Sequence, residues 1–473
     1  MALSLSMPRY GGYWPLAFVA LVPMIFTQYR LFPRRLSGLA PGLTIGSHWL
    51  VALYQMSSIV GLPGIVLAGM LAGIFFGLLF SLGRVFNERS SYKLFMLEMP
   101  ALWVAVEILR GHSLLLGTSG WLAYDLSEVP ALIQPVSLFG TPALSFLILC
   151  INGAFGVALL AYLDQRRVVQ DTVPVPLGVA RCTLFTTLIA AVAWTGVSSY
   201  LYARPENGPK VRVAVVQPGT EMTPDDIGES RAARMTREAA RQGAQIVVWP
   251  EDFLSFDPTT PSQSFVANLA RETRLYILTG YTIGKGSNKS ALFDPSGQVV
   301  GSFHKNHPVI LMGEEWDLPR TYPVWPTPLA NLGPLICFDL SFPEDTAREA
   351  MNGAQLMLIP SFGPASTARD QYHIAQFRAV ENRVAVVKAD WAWASAIISP
   401  NGQVVSYAES LRLEGEQRLM ISDVHIGDGQ GTFFSRYGVW LGWVFYGIVL
   451  VRIAIQVVLG LRIREQLGLQ HEV

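Results

Sequence analysis

The stretch Pro334-Leu335-Ile336-Cys337-Phe338-Asp339-Leu340-Ser341-Phe342-Pro343-Glu344 is an apolar run that delivers one cysteine at its end and then turns through a proline. It reads as a buried strand, Leu335–Cys337, with a nucleophile at its rim, where a sheet can hold a reactive side chain rigidly and within reach of substrate. Taken alone, a lone cysteine after a strand reads more readily as a small buried hydrophobe. The rest of the chain shifts that balance.

The chain has 473 residues, 51% of them hydrophobic and only 15% charged. Soluble proteins are much richer in charge, so a large part should lie in a bilayer. Lys+Arg and Asp+Glu are equal at 35 each and no dense basic run occurs, which argues against a nucleic-acid partner. Of the three cysteines, Cys150 and Cys182 fall in apolar segments, leaving Cys337 alone in the polar part of the chain without a disulfide partner.

Apolar segments of spanning length occur at about Tyr13–Thr27, Leu43–Val60, Leu62–Gly83, Leu94–Leu109, Ala143–Leu163, Thr183–Tyr202 and Phe434–Leu461. Met1–Met7 is too short to span and reads as the remnant of an eighth. Basic residues fill alternate loops: Arg30, Arg34 and Arg35, then Arg84, Arg89 and Lys93, then Arg166 and Arg167, then Arg462 and Arg464. The positive-inside rule puts those loops in the cytoplasm and the polar region between the last two spans on the other side. An unpaired thiol in that oxidising setting is a liability unless it is used. Within the spans, Glu107 reads either as an ion-pair partner of Arg110 at a helix end or as a contact with lipid headgroups or substrate, while His48 and His112 read as packing or interface residues.

From Val211 short β-branched runs alternate with amphipathic segments. Val211–Val216, Gln245–Trp249, Leu275–Gly280, Gln298–His304, Leu335–Cys337, Gln355–Pro360 and Ala385–Lys388 read as strands, and Ser230–Gln242, Ser262–Thr273, Glu344–Asn352 and Arg369–Asn382 as helices. The pattern predicts an α/β domain of two stacked sheets with outer helices. The organisation is therefore a transmembrane helical bundle over residues 1–204, a catalytic domain over 205–431, and a C-terminal transmembrane helix with a cytoplasmic tail over 432–473. No glycine-rich phosphate loop follows a strand, and no metal-ligand spacing is present, so no cofactor and no metal is expected. Two further strand ends carry charge: Trp249-Pro250-Glu251-Asp252 offers a carboxylate and His304-Lys305-Asn306-His307 an exposed ammonium. With Cys337 these supply a base, a cation and a thiol at carboxyl ends of strands, where α/β folds gather their sites.

These motifs, followed by Gln376-Phe377-Arg378-Ala379-Val380-Glu381-Asn382, resemble the Glu–Lys–Cys carbon–nitrogen hydrolases of the nitrilase superfamily over Val211–Val424. The membrane part resembles the apolipoprotein N-acyltransferase family: Leu5-Ser6-Met7-Pro8 through Trp14-Pro15-Leu16-Ala17, then Ala101-Leu102-Trp103, Glu107, Leu109-Arg110-Gly111, Gly117, Trp121, Tyr124 and Gly140 to Phe146, and finally Thr432, Arg436, Gly438 and Trp440. The resemblance implies an extracytoplasmic αββα nitrilase-like domain on a polytopic bundle in a bacterial inner membrane. It implies Glu251 as general base, Lys305 as oxyanion stabiliser and Cys337 as nucleophile, with Glu314 as a supporting carboxylate and Glu315 as its fallback. Membrane phospholipid would be the acyl donor and a diacylglyceryl apolipoprotein the acceptor, with a monomer expected. The family usually has Tyr-Glu after the cysteine where this chain has Phe338 and Asp339. An Asn-Asp-Ala-Trp-Phe-Gly run is replaced by Pro360-Ser361-Phe362-Gly363-Pro364, and a Thr-Asn segment by Ala389-Asp390-Trp391-Ala392-Trp393. These flank the site, so they bear on the acceptor. The alternatives are a membrane-anchored amidase, an acyltransferase for a different amine, and an inert lipid-binding scaffold. Trp316, Trp325, Trp391 and Trp393 read either as lids over the site or as ordinary packing.

Overall fold

The computed structural model describes residues 1–167, 172–220, 231–261, 265–284, 286–314, 319–363, 365–410, 412 and 415–468, with side chains in the final helix described to residue 454. Among the described residues, four helices are long and apolar enough to cross a membrane: Arg34–Leu53, Val60–Arg89, Thr141–Gln165 and Leu177–Tyr202. Their outward residues, including Leu43, Leu67, Leu78, Phe185 and Leu188, are exposed apolar side chains, the surface a bilayer would solvate. The chain is a membrane protein. Thr141–Gln165 lies at the centre of the bundle and is buried over most of its length.

Three expected spans take a different form. Tyr13–Thr27 is not one helix but three pieces, a 3-10 turn Trp14–Phe18, a helix Val22–Phe26 and a π-turn Thr27–Leu31. Pro15 and Pro23 lack the N–H a continuous ladder needs, and each sits in the first turn of its own piece. Asn152 on the central helix takes up groups this break frees, accepting from Leu21 N at 2.9 Å and donating to Ala17 O at 2.7 Å. Leu43–Val60 stops as a helix at Leu53, passes through a 3-10 turn Tyr54–Met56, and resumes in Ser57–Arg89 with a break at Gly61. Phe434–Leu461 divides at Gly438 (φ 60°) into Phe433–Tyr437 and Trp440–Gly468. Met1–Met7 forms the five-residue helix Ala2–Ser6, and Ser6 Oγ donates to Asp125 at 2.5 Å.

Glu107 forms no ion pair with Arg110. Its carboxylate instead accepts from Trp103 Nε1 and Leu122 N, and the Arg110 guanidinium lies over Trp49 and donates to Ser119 O. The helix ends so that the following loop folds back over Glu107, and the loop's own N–H groups reach the carboxylate first. In the first turn of the same helix, Glu98 pairs with Arg452 of the last helix at 2.6 Å.

The α/β domain holds two six-stranded sheets. One has the order β12-β1-β2-β3-β4-β5, from β1 Lys210–Gln217, β2 Ile246–Val248, β3 Tyr276–Ile283, β4 Ser287–Phe293, β5 Val299–His304 and β12 Arg418–His425. The other has the order β11-β10-β9-β8-β7-β6, from β6 Trp325–Pro326, β7 Asn331–Pro334, β8 Leu356–Ser361, β9 Ala385–Asp390, β10 Ala394–Ile398 and β11 Val404–Glu409. Alternation along β1 divides its side chains between two cores. Val213 and Val215 join Leu356 and Leu358 between the sheets, while Ala214 and Val216 meet Ala232, Ala239 and Val266 under the helices Arg231–Arg241 and Phe265–Thr273. Those helices were expected to begin at Ser230 and Ser262, which lie outside the described residues.

The helix Ala365–Asn382 packs on β9 and β10 with one face and on the membrane bundle with the other. It therefore buries Ile374, Ala375, Phe377, Ala379 and Val380 on all sides and fixes the domain to the bundle. Polar bonds cross the same seam. Ser127 Oγ meets His373 Nδ1 at 2.8 Å, and Thr118 N and Oγ1 both donate to Ser341 O at 3.0 Å.

Candidate active site

The expected strand Leu335–Cys337 ends earlier, at Pro334, and Cys337 opens the 3-10 turn Cys337–Ser341. Its φ is +46°, a left-handed backbone that costs a non-glycine residue roughly 1–2 kcal/mol. Asp339 holds that geometry. Its carboxylate accepts from Ile336 N at 3.0 Å, just before the cysteine, and from His307 N at 2.8 Å, two residues after Lys305. One side chain thus ties the two motifs together. Phe338 packs edge-on against Phe342, which stacks on His307. Behind the turn His307, Asp339 and Asp345 form a buried group, with His307 Nε2 3.1 Å from Asp345 Oδ2. Burial drives both aspartyl carboxyls well above the ordinary range.

Lys305 is not the exposed cation expected. It is 3% exposed, and its Nζ donates to Glu251 Oε1 at 2.7 Å and to Glu314 Oε1 at 2.9 Å. The loop after β5 folds back over its own strand end, so the ammonium is enclosed between two carboxylates. Glu314 Oε2 accepts from Val309 N at 2.7 Å, which locks the loop that carries it. Glu315 and Trp316 lie outside the described residues. Lys305 shifts upward, because two carboxylates overcome the penalty of burial; burial also raises Glu251, and the ammonium lowers Glu314 below its ordinary range against that same penalty.

Phe362 joins Glu251 and Cys337 through its backbone: its N donates to Glu251 Oε2 at 2.7 Å and its O lies 3.9 Å from Sγ. Burial first and the Glu251 charge second push the thiol up to about 12. At rest the sulfur is therefore protonated, in a cavity it shares with the Glu251 carboxylate, a group able to act as general base.

Three contributors, Asn288, Gln371 and Gly280, escaped the sequence reading. Asn288 donates from Nδ2 to both Glu251 (2.7 Å) and Glu314 (3.0 Å); β4 was not expected as a strand, and with it its inward-facing asparagine was missed. Of the expected tryptophans, Trp391 donates from Nε1 to Glu251 O at 2.6 Å and so anchors that turn, while Trp325 packs over Gly301 and Trp393 donates to Arg412 O. Gln371 Nε2 lies 3.1 Å from Cys337 Sγ. Gly280 on β3 lets the Pro250–Glu251 turn lie against the strand: a Cβ there would meet Pro250 O at 2.5 Å and Glu251 Cα at 2.6 Å. Both are backbone atoms that cannot give way. Gly280→Ala should consequently displace the carboxylate and slow Cys337 acylation about a hundredfold, measured as single-turnover label incorporation; a wild-type rate would show that Glu251 does not depend on this approach.

Two cavities meet at Cys337, sharing Val309, Met312 and Phe362. One is apolar and bundle-facing, lined by Met56, Leu114, Leu115, Ile310, Leu311 and Ile374. The other is polar, lined by Glu251, Asp252, Asn288, Lys305 and Glu314. A thiol at their junction can accept a group from a greasy donor and present it to a polar acceptor.

Family models match two parts of the chain: "carbon-nitrogen hydrolase" over residues 212–431 and "apolipoprotein N-acyltransferase N-terminal domain" over residues 1–154. An apolipoprotein N-acyltransferase of Geobacter metallireducens is 26% identical over 93% of this chain and 90% of its own length. An omega-amidase NIT2-A of Xenopus laevis is 31% identical over 38% of this chain and 78% of its own. Among solved structures, an amidase from Nesterenkonia sp. is 22% identical, covering 47% of this chain and 94% of its own, with a TM-score of 0.39.

Proposed function

We propose a function for a chain that belongs to the apolipoprotein N-acyltransferase family, within the carbon-nitrogen hydrolase superfamily: it moves a fatty acyl chain from membrane phospholipid, through a thioester on Cys337, to the N-terminal amine of a diacylglyceryl-cysteine apolipoprotein. The observation that carries this reading is the junction of the apolar and polar cavities at Cys337. An amidase acting on small polar substrates has no use for an apolar cavity that opens toward a membrane bundle.

In the first half-reaction Glu251 takes the Sγ proton as sulfur attacks the ester carbonyl carbon. The C–S bond forms, and the oxyanion develops against Lys305 Nζ. Collapse breaks the C–O bond, and the proton on Glu251 passes to the departing lysophospholipid alkoxide. In the second, the acceptor amine adds to the thioester carbon and gives its proton to Glu251. The C–S bond then breaks, an amide forms, and the thiol is restored. Glu314 and Asn288 hold Lys305 and Glu251 in register throughout. The apolar walls exclude water that would otherwise hydrolyse the thioester. The catalytic domain faces the extracytoplasmic side, as the alternating basic loops support.

The test is incubation of purified protein with defined phospholipid vesicles, followed by a diacylglyceryl peptide. Intact mass should show an acyl adduct on Cys337 that disappears when peptide is added, giving N-acyl peptide and lysophospholipid. Fatty acid as the sole product would favour a hydrolase, and no adduct at all would favour a scaffold. Burial raises Glu251, so the acylation rate should climb with pH through a limb above the ordinary carboxylate range, as the carboxyl ionises. A rate independent of pH from 5 to 8 would remove Glu251 from the role of base.

A further inference from the structure

Contacts to the sulfur are unevenly distributed. Phe362 O presents an acceptor oxygen to Cys337 Sγ at 3.9 Å, and the Glu251 carboxylate in the same cavity opposes a thiolate by its charge. Lys305 Nζ is engaged by Glu251 and Glu314. Among the described side chains, the N–H donor within hydrogen-bond distance of Sγ is Gln371 Nε2, at 3.1 Å. Gln371 sits in the helix Ala365–Asn382, and its Oε1 accepts from the fully buried Ser361 Oγ at 2.8 Å. That bond holds the amide with its nitrogen toward the sulfur. Ser361 is the last residue of β8, inside the segment where the chain departs from the family's Asn-Asp-Ala-Trp-Phe-Gly run.

We propose that Gln371 is a further catalytic residue, donating its Nε2 hydrogen to the Cys337 sulfur whenever that atom carries negative charge, and that Ser361 is the positioning residue that orients it. The sulfur is anionic twice: as it loses its proton to Glu251 and attacks the ester carbon, and again as the amine expels it from the tetrahedral intermediate. In each case the electron pair on sulfur is met by the amide N–H, and the proton itself travels only to and from Glu251. A neutral amide suits this place. A second cation would pair with Glu251 and withdraw the base, whereas an amide adds a donor without adding charge. Because Gln371 also lines the apolar cavity, the acyl chain passes beside it on entering the thioester.

This inference rests on the acyl-transfer reading but has an arm independent of it. Gln371→Met keeps the length and volume of the side chain and removes the donor. Single-turnover acylation by phospholipid and discharge of the thioester by diacylglyceryl peptide should each slow roughly ten- to a hundredfold. Alkylation of Cys337 by iodoacetamide should also slow, with its pH profile displaced upward by about one unit. Ser361→Ala should give a smaller loss in the same measurements, and the double variant should be no slower than Gln371→Met alone, because the serine acts only through the amide. Wild-type acylation and alkylation in Gln371→Met would overturn the proposal. Multiplying losses in the double variant would overturn the role of Ser361. Should the wild-type protein form no thioester with phospholipid, the functional reading fails while the alkylation profile still decides whether Gln371 serves the sulfur. Thermal unfolding in detergent accompanies each variant, and Ser361→Ala with its alkylation profile tests the amide's orientation if Gln371→Met does not fold.

Discussion

Lys305→Ala is expected to abolish thioester formation and also to lower the stability of the α/β domain by about 3–5 kcal/mol at neutral pH. The second effect comes from what the ammonium leaves behind. Glu251 is 3% exposed and the half-buried Glu314 shares Lys305 and Asn288 with it, so the variant would hold two neighbouring carboxylates, one buried and one half-buried, with only Asn288 and backbone N–H groups to meet them. Their carboxyls would rise above the unfolded-state value, and the folded protein would bind more protons than the unfolded one. Stability then falls as pH rises, so the deficit against wild type should be largest above neutrality and shrink as pH approaches 5. Chemical or thermal unfolding in detergent across that range measures it. A variant of wild-type stability at pH 8 would mean that the two carboxylates already share a proton and need no cation. The compensated triple variant Lys305→Met, Glu251→Gln, Glu314→Gln should recover most of the stability while forming no acyl-enzyme, separating the two roles.

Arg378→Met should have an effect of similar size by a different route. The guanidinium is wholly buried and donates to Leu340 O at 3.0 Å, three residues beyond Cys337, and to Tyr124 OH at 2.7 Å in the membrane bundle. It also pairs with Glu381, whose carboxylate meets the start of the central membrane helix through Thr141 N and Oγ1. Removing it strands the Glu381 charge at about 3–5 kcal/mol and frees the Cys337 turn from the bundle. Adding Glu381→Gln should restore much of the unfolding temperature but not the rate of Cys337 acylation, since Leu340 O and Tyr124 OH stay without their donor. If the double variant regained wild-type acylation, Arg378 would be only a counter-ion. If the single variant unfolded at the wild-type temperature, the seam between domain and bundle would be held by its apolar contacts alone.

Local residue pattern was sufficient where one chemical property decides the outcome. The apolar runs place most of the spans because a bilayer selects on hydrophobic length, and alternation places β1, β2, β3, β5, β8 and β9 because a sheet between two cores selects on β-branched residues. β4, β10, β11 and β12 escaped, being shorter in apolar runs and interrupted by Ser, Asn and Lys that only the sheet's other strands make tolerable; the two-residue β6 escaped too, and β7 lies just before the expected Leu335–Cys337. The prolines that divide Tyr13–Thr27 were visible, but a hydropathy reading counts carbon and ignores a missing N–H. Gln371 left no local signal at all: it follows Arg369 and Asp370 in an ordinary helical stretch, and its partner sulfur is 34 residues away.

By itself the sequence determined the kind of protein this is, an apolar bundle carrying an α/β domain, and which carboxylate, ammonium and thiol stand near strand ends. Those follow from composition, period and residue type, which act over a few neighbours. Only the tertiary structure decided that Lys305 is enclosed rather than exposed, that Cys337 begins a left-handed turn rather than ending a strand, and that Arg378 and the Thr118 loop tie that turn to the membrane part. Each depends on backbone groups meeting side chains from distant segments, and such bonds are chosen by which partners the packed core brings within about 3 Å, a quantity no local pattern contains.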